Sequence, residues 1–555
     1  MAVLLLVTPM QGKEPLFEDW TEKAGLKGAA GATVSFADLD NDGWPDAIVN
    51  RTQVWMSEKG RTFKRHAVSD TLQPKGTRDA QAVQVGDVNG DGKPDLFLAF
   101  MTDLSNKDAR DDGRRNELWL GNGKGGFTKV EKPGWGGDAT LTATACFLDF
   151  DRDGKLDLYV GNWYAAPWKS EEAQVSRLWR GKGDGTFEDV TEKAGLLGCA
   201  QAGTRASRKP VFGATSTDWN NDGWPDLLVC VYGRQWNQHW RNNGDGTFTD
   251  VAEETTFDGD DDESGTYSEK VRELYRQKGQ RIDDDPPYRA NGNTFDCAVA
   301  DFDCDGDMDC FLGEIAHWWA GPSSDRSMLL ENLGKERGFK FKRDPERIGA
   351  MRPVPEVNWN EGDLHGGWLD VDNDGWQDLV IASSDYPDEQ VLKLYHQKGR
   401  HTFEDWTERL GFRWVSASQI SFADVDRDGA TDILVGRNHM RLTAEQQKQH
   451  PLAVGLFRNT IAGKTGNGYF TLRLAGAAAG ARVRIWTGEH MQTREVTLGL
   501  GHAGHRDDTD CRFGVGKATV IDKVEVRWND GRTVQTFAKV AINRFYGLTK
   551  GGEMK

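Results

Sequence analysis

A chain of 555 residues is longer than one ordinary core supports, so it holds several domains or one repeat array. Apolar residues make up only 37%, while Gly numbers 65 and Trp 21, a composition of many short strands, polar turns and aromatic surfaces. A formal charge of −18 argues against nucleic-acid and anionic-membrane partners, and no apolar run reaches the roughly 18 residues of a membrane span.

Residues 1–14 open on a short apolar stretch, Ala2 to Val7, which reads either as the remnant of a secretory signal or as a frayed end. Seven Cys (146, 199, 230, 297, 304, 310 and 511) are too few and too scattered for a disulfide framework, and their spacing identifies no pair.

From there one pattern recurs seven times, Asp-x-Asp/Asn-x-Asp-Gly-x-x-Asp, starting at Asp38, Asp87, Asp149, Asp218, Asp301, Asp370 and Asp424. Each copy follows a strand-like run such as Val34-Ser35-Phe36-Ala37. Each leads into another, such as Asp226-Leu227-Leu228-Val229. Most units then add a second pair, for example Arg177-Leu178-Trp179-Arg180 and Thr186-Phe187-Glu188-Asp189 around a Gly-rich turn. Four strands repeated seven times predict an all-β fold, a seven-bladed β-propeller over residues 15–460. The seventh unit has only three strands of its own. Phe17-Glu18-Asp19-Trp20 resembles the fourth strands at Phe187 and Phe403, so the N-terminal segment is predicted to complete blade seven and remove two sheet edges. Residues 461–555 form a separate small β-domain.

These repeats resemble the FG-GAP/VCBS repeats of integrin-type propellers over residues 17–459. From about residue 467 the chain resembles the ASPIC/UnbV domain of the cartilage acidic protein family, through Gly480-Ala481-Arg482-Val483, Phe513-Gly514-Val515-Gly516 and Val524-Glu525-Val526-Arg527-Trp528-Asn529-Asp530-Gly531. His502 departs from that pattern, standing where such domains usually carry an aromatic residue. The resemblance implies a secreted, periplasmic or cell-surface protein that binds calcium and has no assigned reaction.

The repeat has the chemistry of a calcium loop. A hard cation takes six to eight oxygens, and alternate carboxylates on a tight turn supply them, with a backbone carbonyl at position seven and Gly at position six for the bend. In chain order the sets are Asp38, Asp40, Asp42, Trp44 and Asp46, then Asp87, Asn89, Asp91, Lys93 and Asp95. Asp149, Asp151, Asp153, Lys155 and Asp157 follow, then Asp218, Asn220, Asp222, Trp224 and Asp226. The last three are Asp301, Asp303, Asp305, Asp307 and Asp309, then Asp370, Asp372, Asp374, Trp376 and Asp378, and finally Asp424, Asp426, Asp428, Ala430 and Asp432. Seven structural Ca2+ would bring the formal charge from −18 to −4. The plainer alternative is a set of Asx-rich turns that hold no metal.

In an up-and-down blade the calcium loops share one face, and the long insertions (102–117, 162–176, 199–211, 252–293, 314–327, 344–363 and 437–453) fall on the other. That insertion-rich face is the predicted binding surface. Its ligand candidates are Trp163, Tyr164, Trp168, Tyr232, Arg234, Trp236, His239, Trp318, Trp319, Tyr386, Arg437 and His439, suited to a sugar ring or a flat ligand, or else merely packing the loops. Asp296 and His365 open adjacent inner strands, with Glu314 and His317 one strand on, and a carboxylate beside an imidazole is an acid–base candidate. The insertion 252–293 reads as a lid, a docking element or a solvated loop.

Two functions follow. One is a binding module for a glycan or protein partner. The other is a propeller enzyme, lyase-like or another acid–base catalyst, at the same face. No nucleophile elbow, phosphate loop, zinc signature or dinucleotide fingerprint occurs.

Overall fold

The computed structural model describes residues 14–73, 81–101, 115–135, 141–164, 173–197, 209–233, 235–259, 273, 276–277, 292–317, 325–344, 360–384, 390–476 and 478–555. Trp168, Arg234, Trp318, Trp319, Tyr386 and most of the insertion 252–293 lie outside them.

Among the described residues the strands of 17–459 pair into seven antiparallel four-stranded units. The inner strands are Val34–Ala37, Ala82–Gly86, Thr142–Leu148, Val211–Thr217, Thr294–Ala300, Asn360–Leu369 and Ala417–Ala423. Every second strand opens on the ninth-position Asp of its loop, from Asp46–Val49 to Asp432–Arg437. The fifth and sixth units are fused, because Asp309–His317 runs on to pair Ile315, Ala316 and His317 with residues 360–362. Phe17–Asp19 pairs antiparallel with Val454–Asn459, so the predicted closure of blade seven is the observed one. Ser421 Oγ and Gln419 Oε1 accept the amides of Phe36 (3.0 Å) and Val34 (2.8 Å), tying blade seven to blade one.

Blades pack face to face through apolar layers, as where Phe36 and Val49 of blade one meet Val425, Leu434 and Leu456 of blade seven. Side-chain amides at the ends of third strands add links the sequence pattern does not announce. Asn242, Asn332, Gln397 and Asn459 each donate to a carbonyl of the preceding blade at 2.7–3.1 Å.

The C-terminal strands form two sheets. Arg482–Thr487 lies between His490–Glu495 and Ile521–Arg527, with Val534–Val540 outside, while Gly468–Leu474 lies between Cys511–Gly516 and the parallel Arg544–Leu548. Phe470, Leu472, Val483, Ile485, Phe513, Val524 and Trp528 fill the space between them. This domain sits on the loop face of the propeller. Arg473 hydrogen-bonds Asp38 and the carbonyl of Gly43, Arg527 reaches Asp218, and the buried Arg482 pairs with Glu495 while donating to Asn221 and the carbonyl of Asp218.

Two outcomes test this architecture. Phe17 is buried in the blade-seven core, so Phe17→Ala is expected to cost about 3 kcal/mol, and deleting residues 15–26 to abolish a single cooperative melt in calorimetry. Arg482→Ala leaves Glu495 buried without its partner, and a loss of about 3–5 kcal/mol with early proteolytic release of residues 461–555 is expected.

Candidate metal centres and the central channel

The seven loops share one backbone design. The position-six Gly lies at φ between 79° and 101°, in the left-handed region. So does position four, where Asn41, Arg152, Asn221, Cys304, Asn373 and Arg427 lie between 56° and 62° and blade two has Gly90. The sequence pattern treats position four as free, and its conformation is not. The position-one carboxylate accepts the amide of the position-six Gly at 2.8–3.2 Å in all seven loops.

The ninth-position Asp does more than offer an oxygen to an ion. In each blade one of its oxygens accepts the amide of position two at 2.7–3.3 Å. The other accepts an amide at the far end of the third strand at 2.7–2.8 Å. These seven carboxylates are buried, Asp46 to Asp432 alike.

The loops fit a hard cation. Buried oxygens of Asp38, Asp149, Asp218, Asp301, Asp372 and Asp426 have no hydrogen-bond partner. Carboxylates of Asp38, Asp40 and Asp42, of Asp149, Asp151 and Asp157, and of Asp301, Asp303 and Asp309 come within 4.8 Å of one another. Burial is the main cause of raised pKa values here, with neighbouring carboxylates adding to it. Asp38 and Asp301 are pushed up to about 6, Asp149 and Asp424 to about 7 and Asp46 to about 8. Orphaned oxygens among crowded acids are what an ion bound by six to eight oxygens would complete. At position seven, Trp44 and Trp224 instead carry the guanidinium of a neighbouring blade's position-four Arg, Arg427 at 4.2 Å and Arg152 at 3.7 Å.

The central channel holds a segment of the C-terminal domain. After strand His490–Glu495 the chain enters the ring, and residues 498–508 touch the inner strands of six blades. Gln84 donates to the Gly504 carbonyl (2.7 Å), Thr144 to that of Gly501 (2.7 Å), and Ser421 to that of Arg506 (2.7 Å). Asp296 accepts the amides of Gly366 (2.6 Å) and His502 (2.9 Å). A Cβ on Gly501 would stand 1.4 Å from Asp296 Oδ1, so only glycine passes there.

Residues 473–555 match the ASPIC and UnbV family, and residues 87–160, 218–268 and 370–435 match the FG-GAP-like repeat. The chain carries FG-GAP-like repeats followed by an ASPIC and UnbV domain. Over 532 residues it is 22% identical to cartilage acidic protein 1 of Xenopus tropicalis, spanning 90% of this chain and 70% of that protein. Among solved structures, rhamnogalacturonan lyase YesW is 12% identical over 84% of this chain and 73% of its own, with a TM-score of 0.31. Sqt1 of Saccharomyces cerevisiae is 9% identical over 81% and 100%, with a TM-score of 0.36. The fold assignment rests on the strand pairing and the repeats rather than on likenesses this distant.

The ASPIC and UnbV segment changes the standing of the acid–base candidates. Asp296 and His365 are neighbours on adjacent blades, as the strand alignment predicts, but His365 Nδ1 and Asp296 Oδ1 are 4.0 Å apart, too far for a hydrogen bond. The carboxylate is committed to backbone amides, and both residues are buried against the plug rather than lining an open polar channel. Burial pushes Asp296 up to about 7 and, with His502 and His505 nearby, holds His365 well below the ordinary imidazole range. Glu314 is fully buried and accepts from Thr294 (2.6 Å), and His317 is buried at the end of the same strand.

The ligand candidates divide. Trp163, Tyr164 and Tyr232 come together with Phe212 and Phe295 at the insertion-face mouth of the channel, with ring centroids 4.3–6.1 Å apart. Trp236 lies apart from them, half-buried beneath the Lys209 ammonium at 3.7 Å. Three others are engaged within the fold, His239 and Arg437 buried and His439 half-buried. His239 is fully buried, bonded to Thr255 (2.9 Å) and set against Trp219, with burial lowering its pKa to about 3. Arg437 donates to the carbonyls of Val415 and Pro451 and stacks on Trp414, and His439 bonds the carbonyl of His450, so both hold their own loop.

Stripped of divalent ions, the protein is expected to melt lower as pH rises. Carboxyls with native pKa values of about 6 to 8 stand above the unfolded value near 3.9. Their stabilising protons are fully bound below about pH 4 and are lost as pH climbs through 6 to 8. Excess Ca2+ at pH 8 is expected to reverse the loss, by roughly 2.7 kcal/mol per site at a hundredfold excess over Kd. Melting midpoints measured in chelator and in Ca2+ across pH 5–8 check both the sign and the reversal.

Proposed function

We propose that this chain is an extracytoplasmic calcium-binding propeller that holds a glycan or protein partner on its insertion-rich face. In this reading the seven loops, Asp38–Asp46 through Asp424–Asp432, hold structural Ca2+. The ion supplies only charge neutralisation and cross-linking of each loop. The aromatic cluster at the channel mouth carries the proposal. Trp163, Tyr164 and Tyr232 are half-buried side chains gathered at one end of the ring, the arrangement that stacks on a sugar ring or an apolar side chain. The opposite face is occupied by the C-terminal domain, which leaves the insertion side for a partner.

Binding is preferred to acid–base catalysis because Asp296 spends both oxygens on amides and the His365 imidazole is buried against the plug. No helix among the described residues is long and apolar enough to cross a membrane.

Retention on immobilised acidic and neutral polysaccharides tests this. Trp163→Ala and Tyr232→Ala are each expected to weaken retention about tenfold, the loss of roughly one aromatic contact, without changing the calcium-dependent melt. Release of unsaturated or reducing ends that His365→Gln abolishes would instead establish an enzyme.

A further inference from the structure

Three histidines meet in the channel, away from the calcium loops. His365 comes from the inner strand of blade six, and His502 and His505 come from the plug. The His365 ring centroid lies 5.2 Å from that of His502 and 5.5 Å from that of His505. The Nδ1 atoms of all three are buried and without a hydrogen-bond partner. His365 and His505 are each only 1% exposed. One such nitrogen is an ordinary packing cost, whereas three on rings gathered around His365 suggest a missing electrophile.

The distances agree with that. An ion holding two imidazoles at about 2.0 Å and tetrahedral angles sets their ring centroids roughly 5 Å apart. The 4.0 Å between His365 Nδ1 and Asp296 Oδ1 exceeds the roughly 3.3 Å between two donors of a tetrahedral ion with bonds of about 2.0 Å, so Asp296 borders the site rather than ligating in it. The surroundings hold each ring in place. His505 Nε2 bonds Asp507 Oδ1 at 3.1 Å, and Asp507 is itself fixed by the Phe422 amide at 2.8 Å. A carboxylate on the far nitrogen of a ligating imidazole sets its tautomer and leaves the lone pair on Nδ1. The His502 ring is stacked on Phe212 at 5.0 Å and 9°, with Phe295, next to Phe212, also at 5.0 Å. The carbonyl of Ile420 also accepts a hydrogen bond from His505, and with Asp507 it favours the protonated ring, so an ion bound there displaces a proton.

We propose that His365, His502 and His505 form a binding site for a borderline transition-metal ion such as Zn2+, distinct from the calcium loops. Nitrogen-rich ligation selects this class over Ca2+, which takes oxygen. Two ligands belong to the plug and one to blade six, so the ion would pin the C-terminal domain inside the ring.

The test uses the full chain, stripped of metals and then saturated with Ca2+ so that the loops are filled. Co2+ is added as a spectroscopic probe and Zn2+ as its competitor. One equivalent of Co2+ with the intense visible absorption of a tetrahedral site, displaced by Zn2+, is expected, together with a Zn2+-dependent rise in melting midpoint. His502→Ala and His365→Gln are expected to abolish the absorption, and Asp507→Asn to weaken Zn2+ binding about 10–100-fold. His401→Ala serves as the control, because His401 lies with Asp303 and Glu331 in a separate cluster at a calcium loop. Loss of the signal in His401→Ala with retention in His502→Ala would overturn the proposal, as would no uptake by the parent. If His365→Gln loses its calcium-dependent melt, the less buried His502 decides the matter alone.

Discussion

Each blade is held together by a buried aspartate that accepts two amides, one from the start of its own loop and one from the end of the third strand. This carboxylate fixes the loop against the sheet and thereby crowds three more oxygen-bearing side chains into the same few ångströms. The latch accepts hydrogen bonds best as an anion, and burial opposes the anion. A cation in the loop would resolve that conflict, since the latch residue also belongs to the candidate ligand set. Seven repetitions make the loop face a ring of acidic turns linked from blade to blade, as by Asn41 to Gly92 and Asn373 to Gly429.

That acidic ring is what the C-terminal domain reads. Arg473, Arg482 and Arg527 face it, and two of them also contact carbonyls of the loops, so docking uses backbone shape as well as charge. A domain seated there closes one mouth of the channel and threads a glycine-rich segment through it. The remaining chemistry is displaced to the opposite end, where the aromatic residues of blades three to five gather around His502.

How much of this the sequence discloses depends on the range of the interaction. The loops are legible because their ligand set is complete within nine residues, and the closure of blade seven because the same strand sequence recurs at Phe17, Phe187 and Phe403. The plug is not, since Gly499 to His505 has no periodicity and its partners lie 206 and 420 residues away. His502 registers in the sequence only as a departure from its family's pattern. His239 misleads for a simpler reason. Its strand turns it toward Trp219, Phe257 and Phe341 between blades four and five, a fact set by packing and not by its neighbours in sequence. Arg437 is spent inside its own loop because Trp414 offers a face for its guanidinium and two carbonyls lie in reach.

The two faces are joined by a short path. The amide of Asp218, in the loop of blade four, is held by Glu495 at 3.2 Å, and Glu495 is clamped by Arg482. Glu495 ends the strand that becomes the plug, and six residues later Gly501 bonds Thr144 and Thr215, with His502 at the mouth. The surface offered by Phe212, Phe295 and Tyr232 includes the plug tip, since His502 stacks directly on Phe212. An ion in the loops on one side of the ring and a ligand at the mouth on the other would both bear on this one stretch of chain. The propeller is a support whose two faces are set by the same inserted loop.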